Sequence, residues 1–144
     1  MQSVIGDSFL CKDIEVYYSD VEKCQVVGLY YTAGWCPPCR NFNPVLLEFY
    51  NDVNYPDKRF EIIQISSDQD EIAFSEYSSG MPWVSIPFND PRIKALKQKF
   101  RVTGIPLLLL LNRDGTLAHG TARADIQTEG PACFERWISQ FYPS

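Results

Sequence analysis

A chain of 144 residues, 45% hydrophobic and 22% charged, has the size and composition of one globular domain and can bury roughly two thirds of its unfolded surface. A net charge of −5 and the lack of any Lys/Arg cluster exclude nucleic acid as the expected partner, because its phosphates are repelled on average. The longest apolar run, residues 105–111, falls far short of the roughly 20 residues of a spanning helix, so no membrane partner is expected.

Residues 1–7 lack the basic start and apolar core of a secretory signal. The cytoplasm is therefore the expected compartment, with nuclear entry open to so small a protein. Five cysteines, an odd number at irregular spacing, do not make a small disulfide scaffold.

In chain order, residues 4–7 and 14–17 read as short strands. Residues 26–31 form a nearly continuous β-branched and aromatic run, the pattern of a buried strand. Phe42, Val45, Leu46, Phe49, Tyr50 and Val53 then recur at helical spacing, with Pro44 expected to kink the helix by removing a backbone donor. Residues 60–65 are a second buried strand, and residues 66–71 supply N-cap side chains and first-turn acids for a short helix through Tyr77. Asp90 as N-cap and Pro91 at the first helical position start another helix, with Ile93, Leu96, Lys97 and Phe100 inward.

Strand 107–111 follows Gly104-Ile105-Pro106, and the turn Asn112-Arg113-Asp114-Gly115 sends residues 116–121 back antiparallel. A last helix from about Pro131 turns Phe134, Trp137, Ile138 and Phe141 inward. Early parallel crossovers followed by a hairpin and a terminal helix predict a three-layer α/β/α sandwich around a central mixed sheet, one domain over residues 1–144.

The chemistry concentrates in Trp35-Cys36-Pro37-Pro38-Cys39-Arg40, between a predicted strand and a predicted helix. A thiolate, not a thiol, attacks a disulfide, and a helix N-cap position for Cys36 favours the ionised form through the helix dipole. Cys39, one turn on and on the same face, is placed to resolve a mixed disulfide formed at Cys36. Pro37 and Pro38 suit the first turn and leave the Cys39 N–H as the backbone donor to the Cys36 sulfur. Trp35 is expected to cover the pair from one side.

The competing reading, half a structural zinc site, needs a second ligand pair. Cys11, Cys24 and Cys133 form none and His119 is the only histidine, so no metal is expected and these three thiols read as buried or incidental. Pro106 reads locally as an ordinary trans proline starting a strand.

The Trp35–Arg40 hexapeptide, Met81-Pro82-Trp83 with Ile86-Pro87-Phe88, and Gly104-Ile105-Pro106 together resemble the tryparedoxin and nucleoredoxin branch of the thioredoxin-like superfamily, over about residues 26–137. The resemblance implies a thioredoxin-like fold, a cis Pro106 facing the pair, Cys36 as nucleophile and Cys39 as resolving thiol. Tyr30 stands six residues before the first cysteine, where ordinary thioredoxins have a buried acid. The resemblance implies that it influences the pair, beside its local reading as a packing aromatic. Arg123 matches a substrate-binding arginine, although locally it reads as a solvated charge.

Trp35, Pro37, Pro38, Trp83 and Ile105 are expected to form an apolar rim where an extended substrate segment pairs with the backbone beside Pro106. Thr103 departs from the acid that tryparedoxins tend to carry there, which weakens trypanothione as the reductant.

The implied activity is protein-disulfide reduction with no cofactor beyond the Cys36–Cys39 disulfide. The implied substrates are disulfide-containing proteins such as peroxiredoxins, with a low-molecular-weight dithiol, glutathione or a reductase as electron donor. The alternatives are a redox-gated interaction module of nucleoredoxin type with little turnover, a thiol peroxidase, and a catalyst of oxidative folding, which redox potential separates from a reductase.

Overall fold

In the computed structural model, which describes residues 1–143, the chain runs α1 (Gln2–Ile5), β1 (Ser8–Cys11), β2 (Ile14–Tyr17), α2 (Tyr18–Val21), β3 (Val26–Thr32) and α3 (Pro37–Val53). It continues through β4 (Phe60–Ser66), α4 (Glu71–Ser78), β5 (Val84–Ser85), α5 (Pro91–Lys99), β6 (Leu107–Leu111), β7 (Leu117–His119), α6 (Ala122–Glu129) and α7 (Ala132–Phe141). The strands form one mixed sheet in the order β2-β1-β5-β4-β3-β6-β7. Its middle is the parallel pair β3–β4, with β6 antiparallel on the other side of β3.

Every residue of β3 and β4 is buried, which explains their largely apolar runs: both faces are covered by helices. Side chains alternate across the sheet. Val26, Tyr30, Phe60, Ile62, Leu108 and Leu110 pack with Phe42, Leu46 and Phe49 of α3, Ile126 of α6 and Phe134 and Trp137 of α7. Val27, Leu29, Tyr31, Ile63, Ile65, Leu109 and Leu111 face Ile5 of α1, Val21 of α2 and Leu96 of α5. The layered arrangement is the predicted one.

Local signals hold where the cap chemistry is explicit. Asp70 caps α4 through the Ala73 N–H at 2.8 Å, and Asp90 caps α5 through the Arg92 N–H at 2.8 Å with Pro91 in the first turn. Two expectations are corrected. Residues 4–5 belong to a helical turn, and the first strand begins only at Ser8, antiparallel to β2. Val45 is exposed rather than inward. Helix α6 was not anticipated, because only Ala122 and Ile126 are buried on it, too sparse a stripe to read from sequence. Helix α3 continues through Pro44 as one element.

Trp137 is fully buried and packs its ring against Phe49, Phe60 and Phe134, with centroids 5.5, 6.2 and 6.1 Å away. Trp137→Ala is expected to cost about 3–5 kcal/mol, read as a lower midpoint in urea unfolding, because the surrounding rings can only partly close the cavity.

Candidate active site

Strand β3 ends at Thr32, and Ala33, Gly34 and Trp35 carry the chain to Cys36, the N-cap of α3. Cys36 is extended (φ −95°, ψ 112°), and its sulfur accepts the Cys39 N–H at 3.4 Å, the one donor that Pro37 and Pro38 leave. The Cys39 thiol donates to the Cys36 sulfur at 2.6 Å, both thiols being free.

The two sulfurs are not equivalent. Cys39 is fully buried, whereas Cys36 keeps a sliver of surface, 5% of the residue. Burial pushes the Cys39 thiol up to about 11, and its bond to Cys36 adds to the rise. The Thr32 hydroxyl and the Ala33 backbone oppose it.

The segment around Gly34 is clamped at both peptide groups. Its N–H donates to Asp68 Oδ1 at 2.9 Å and its carbonyl accepts from Arg40 Nη1 at 2.8 Å. Ser66 donates to the other Asp68 oxygen. Trp35 is 56% exposed and anchored by its indole N–H on the Ser67 carbonyl at 3.0 Å. Pro37 and Pro38 are exposed as well. Half-buried Ile105 packs on Ala33, Cys36 and Cys39, and the Ile105–Pro106 peptide bond is cis, against the local reading of the proline and as the resemblance implies. Arg123 of α6 donates to the Pro106 carbonyl at 3.1 Å and lies over the Phe42 ring at 5.9 Å.

Trp83 departs from its expected place on the rim. It is 1% exposed and packs against Tyr30 and Tyr50, with centroids 6.0 and 5.5 Å away. Its indole N–H is satisfied inside by Gln64 Oε1 at 2.8 Å, so the large ring belongs to the core.

Behind the pair lies a polar layer. Buried Tyr30 donates to Asn43 Oδ1 at 2.6 Å, Asn43 Nδ2 donates to the Tyr77 hydroxyl at 2.7 Å, and Tyr77 shares a hydrogen bond of 2.6 Å with Thr32. Desolvation raises both the Tyr30 and Tyr77 phenols, which stay neutral. Sequence reasoning placed Tyr30 here but missed Thr32, Asn43, Asp68 and Tyr77. Asn43 had a signal, four residues after Cys39 on one helix face. Asp68 and Tyr77 had none, since only the tertiary fold brings them to Gly34 and Thr32.

The remaining cysteines lie apart from this pair. Cys24 and Cys133 are buried, and half-buried Cys11 donates to the Pro82 carbonyl at 3.5 Å. Among the described residues no group of three or more His, Cys, Asp or Glu is disposed to hold a metal ion, and no helix is long and apolar enough to cross a membrane.

A mixed sheet with a Cys-x-x-Cys pair at a helix N-terminus and a cis proline opposite defines a thioredoxin-like protein. Residues 24–117 match the Thioredoxin-like family model, and the chain belongs to that family, in its nucleoredoxin and tryparedoxin branch. It is 44% identical over 106 residues to probable nucleoredoxin 1 of Arabidopsis thaliana, covering 74% of this chain and 18% of that protein. It is 40% identical over 108 residues to the tryparedoxin of Trypanosoma brucei brucei, covering 74% of each. The structure of tryparedoxin I from Leishmania major superposes with a TM-score of 0.83 at 34% identity, over 92% of each chain. The chain spans 18% of the Arabidopsis nucleoredoxin and 26% of the zebrafish (Danio rerio) one.

Burial holds three thiols protonated in the fold: Cys24 and Cys39 to about 11 and Cys133 to about 12, against an ordinary value of 9.0. Raised values mean that the folded state binds more protons than the unfolded state above pH 9. Their stabilisation is complete below that pH and is lost as pH climbs through about 11 for Cys24 and Cys39 and about 12 for Cys133. The urea midpoint of the reduced protein is expected to fall over that window, and to fall less steeply in a Cys24→Ala/Cys133→Ala variant.

Proposed function

We propose that the chain is a thiol–disulfide oxidoreductase, a protein-disulfide reductase in which Cys36 attacks and Cys39 resolves. The observation that carries this reading is the asymmetry of the pair. One cysteine is the helix N-cap and keeps a sliver of surface, and the other is fully buried with its proton held.

The Cys36 thiolate attacks a substrate sulfur, and the first substrate thiolate leaves. Cys39 then gives up its proton and attacks the Cys36 sulfur. The mixed disulfide breaks, the second substrate thiolate departs, and Cys36–Cys39 is left oxidised. The substrate has gained two electrons, and no cofactor other than this disulfide is involved. An external low-molecular-weight dithiol, glutathione or a reductase returns the pair to the dithiol.

Trp35, Pro37, Pro38 and Ile105 supply the rim, and the backbone at Ile105 pairs with an extended segment of a disulfide-containing protein such as a peroxiredoxin. Arg123 fixes the Pro106 carbonyl beside that segment. Tyr30 supports the resolving thiol from below. Residues 1–144 act as one such domain, and a reducing compartment such as the cytoplasm suits this direction of electron flow.

Reduction of insulin or of a peroxiredoxin disulfide tests the reading. Cys36→Ser is expected to fall to the uncatalysed rate. Cys39→Ser is expected to stop after one attack and accumulate a substrate adduct released by added dithiol. Activity of Cys36→Ser equal to that of the parent overturns it.

A further inference from the structure

The resolving step requires a fully buried thiol to lose a proton, and Cys36, which accepts the Cys39 hydrogen in the free dithiol, cannot take it once it is bonded to substrate. Thr32 ends β3 immediately before Ala33, which packs on both cysteines, and its buried hydroxyl is one of the groups that lower the Cys39 thiol. The Thr32 oxygen is 2.6 Å from the Tyr77 hydroxyl, and either oxygen can be the donor. Tyr77 is half-buried: its hydroxyl meets buried Thr32, and the residue lines an open groove with Gly34, Trp35, Asp68 and Glu76, so the side chain spans from the interior to the groove. Tyr30 gives no such exit, since it is fully buried and its proton is committed to Asn43.

We propose that Thr32 and Tyr77 form a two-hydroxyl proton wire that carries the Cys39 proton to the groove beside Trp35 during resolution, with Asn43 holding Tyr77 in place. This rests on the reductase reading above.

The wire works by reversing its hydrogen bonds. The Cys39 S–H bond breaks toward Thr32 Oγ1, the Thr32 proton passes to Tyr77 Oη, and the Tyr77 proton passes to water in the groove. The electron pair left on Cys39 forms the bond to the Cys36 sulfur, and the pair of the broken mixed disulfide leaves with the substrate sulfur. Each hydroxyl ends with one proton, now donated inward, so Thr32 faces the new thiolate as a donor. Asn43 needs no change: its amide N–H donates to Tyr77 in both polarities.

Cys36 and Tyr30 face this path from inside, and Asp68, Asp70 and Glu76 line its mouth. The rim cations Arg40 and Arg123 are engaged by the carbonyls of Gly34 and Pro106. Desolvation keeps Cys39 protonated at neutral pH, so its deprotonation limits the step the wire serves. Thr32 and Tyr77 are positioning residues, acting on substrate only through Cys39.

The reduced protein is mixed with a substoichiometric chromogenic aryl disulfide. The first release of aryl thiolate reports attack by Cys36, and the second reports resolution by Cys39. Tyr77→Phe and Thr32→Val are expected to leave the first phase unchanged and slow the second roughly a hundredfold, the low end for positioned proton transfer. They should also move the pH profile of the second phase upward, while Thr32→Ser, which keeps the hydroxyl, restores it. Tyr77→Phe decides alone if Thr32→Val fails to fold.

A second phase unchanged in Tyr77→Phe, a uniform slowing of both phases, or Thr32→Ser as slow as Thr32→Val overturns the wire. The reductase reading fails separately, through a first phase that survives Cys36→Ser.

Discussion

A strand hydrogen-bonded along both edges cannot slide, and the structure hangs on that fact at β3. Its register runs from Val26 opposite Phe60 to Thr32 opposite Ser66 on one side, and from Val27 opposite Leu111 to Tyr31 opposite Leu107 on the other. A slip by one residue turns Tyr30 and Tyr31 to opposite faces, exchanging two large, fully buried side chains between two separate cores. Because β3 is fixed, the place where it ends is fixed, and with it the four residues that lead from Thr32 to the N-terminus of α3. Asp68 and Arg40 then clamp Gly34 from two sides, so the reactive turn inherits the rigidity of the sheet.

Within that frame, depth distinguishes the two sulfurs. Both stand on the same helix turn and share the same neighbours, Ala33 and Ile105. Cys36 keeps a sliver of surface and Cys39 none, and desolvation is the first cause holding Cys39 as a thiol. The polar layer behind it is the counterpart of that burial. No buried side-chain nitrogen or oxygen among the described residues lacks a partner, and the hydroxyls and amide of Tyr30, Thr32, Asn43 and Tyr77 satisfy one another.

What the sequence made legible was what its neighbours in the chain determine. Residues 26–31 and 60–65 read as buried strands because β-branched and aromatic residues dominate both runs, and Asp90-Pro91 marked a helix start because both side chains suit the first turn. The reactive turn was legible for the same reason, down to the Cys39 N–H as the donor left to the Cys36 sulfur. The rest depended on distant packing. Helix α6 buries too few positions to leave a stripe, and residues 4–5 are apolar in a pattern that suits either a strand or a helical turn. Trp83 shows the limit of a motif: Met-Pro-Trp pointed to the family but not to the side of the sheet the ring occupies, which Gln64 and Tyr30 decide.

The three tryptophans have an optical consequence. Trp83 and Trp137 are sealed in the core, while Trp35 is more than half exposed immediately before Cys36. A collisional quencher in solution reaches one indole of the three, and the molecule thus carries an intrinsic fluorescent label next to its outer sulfur.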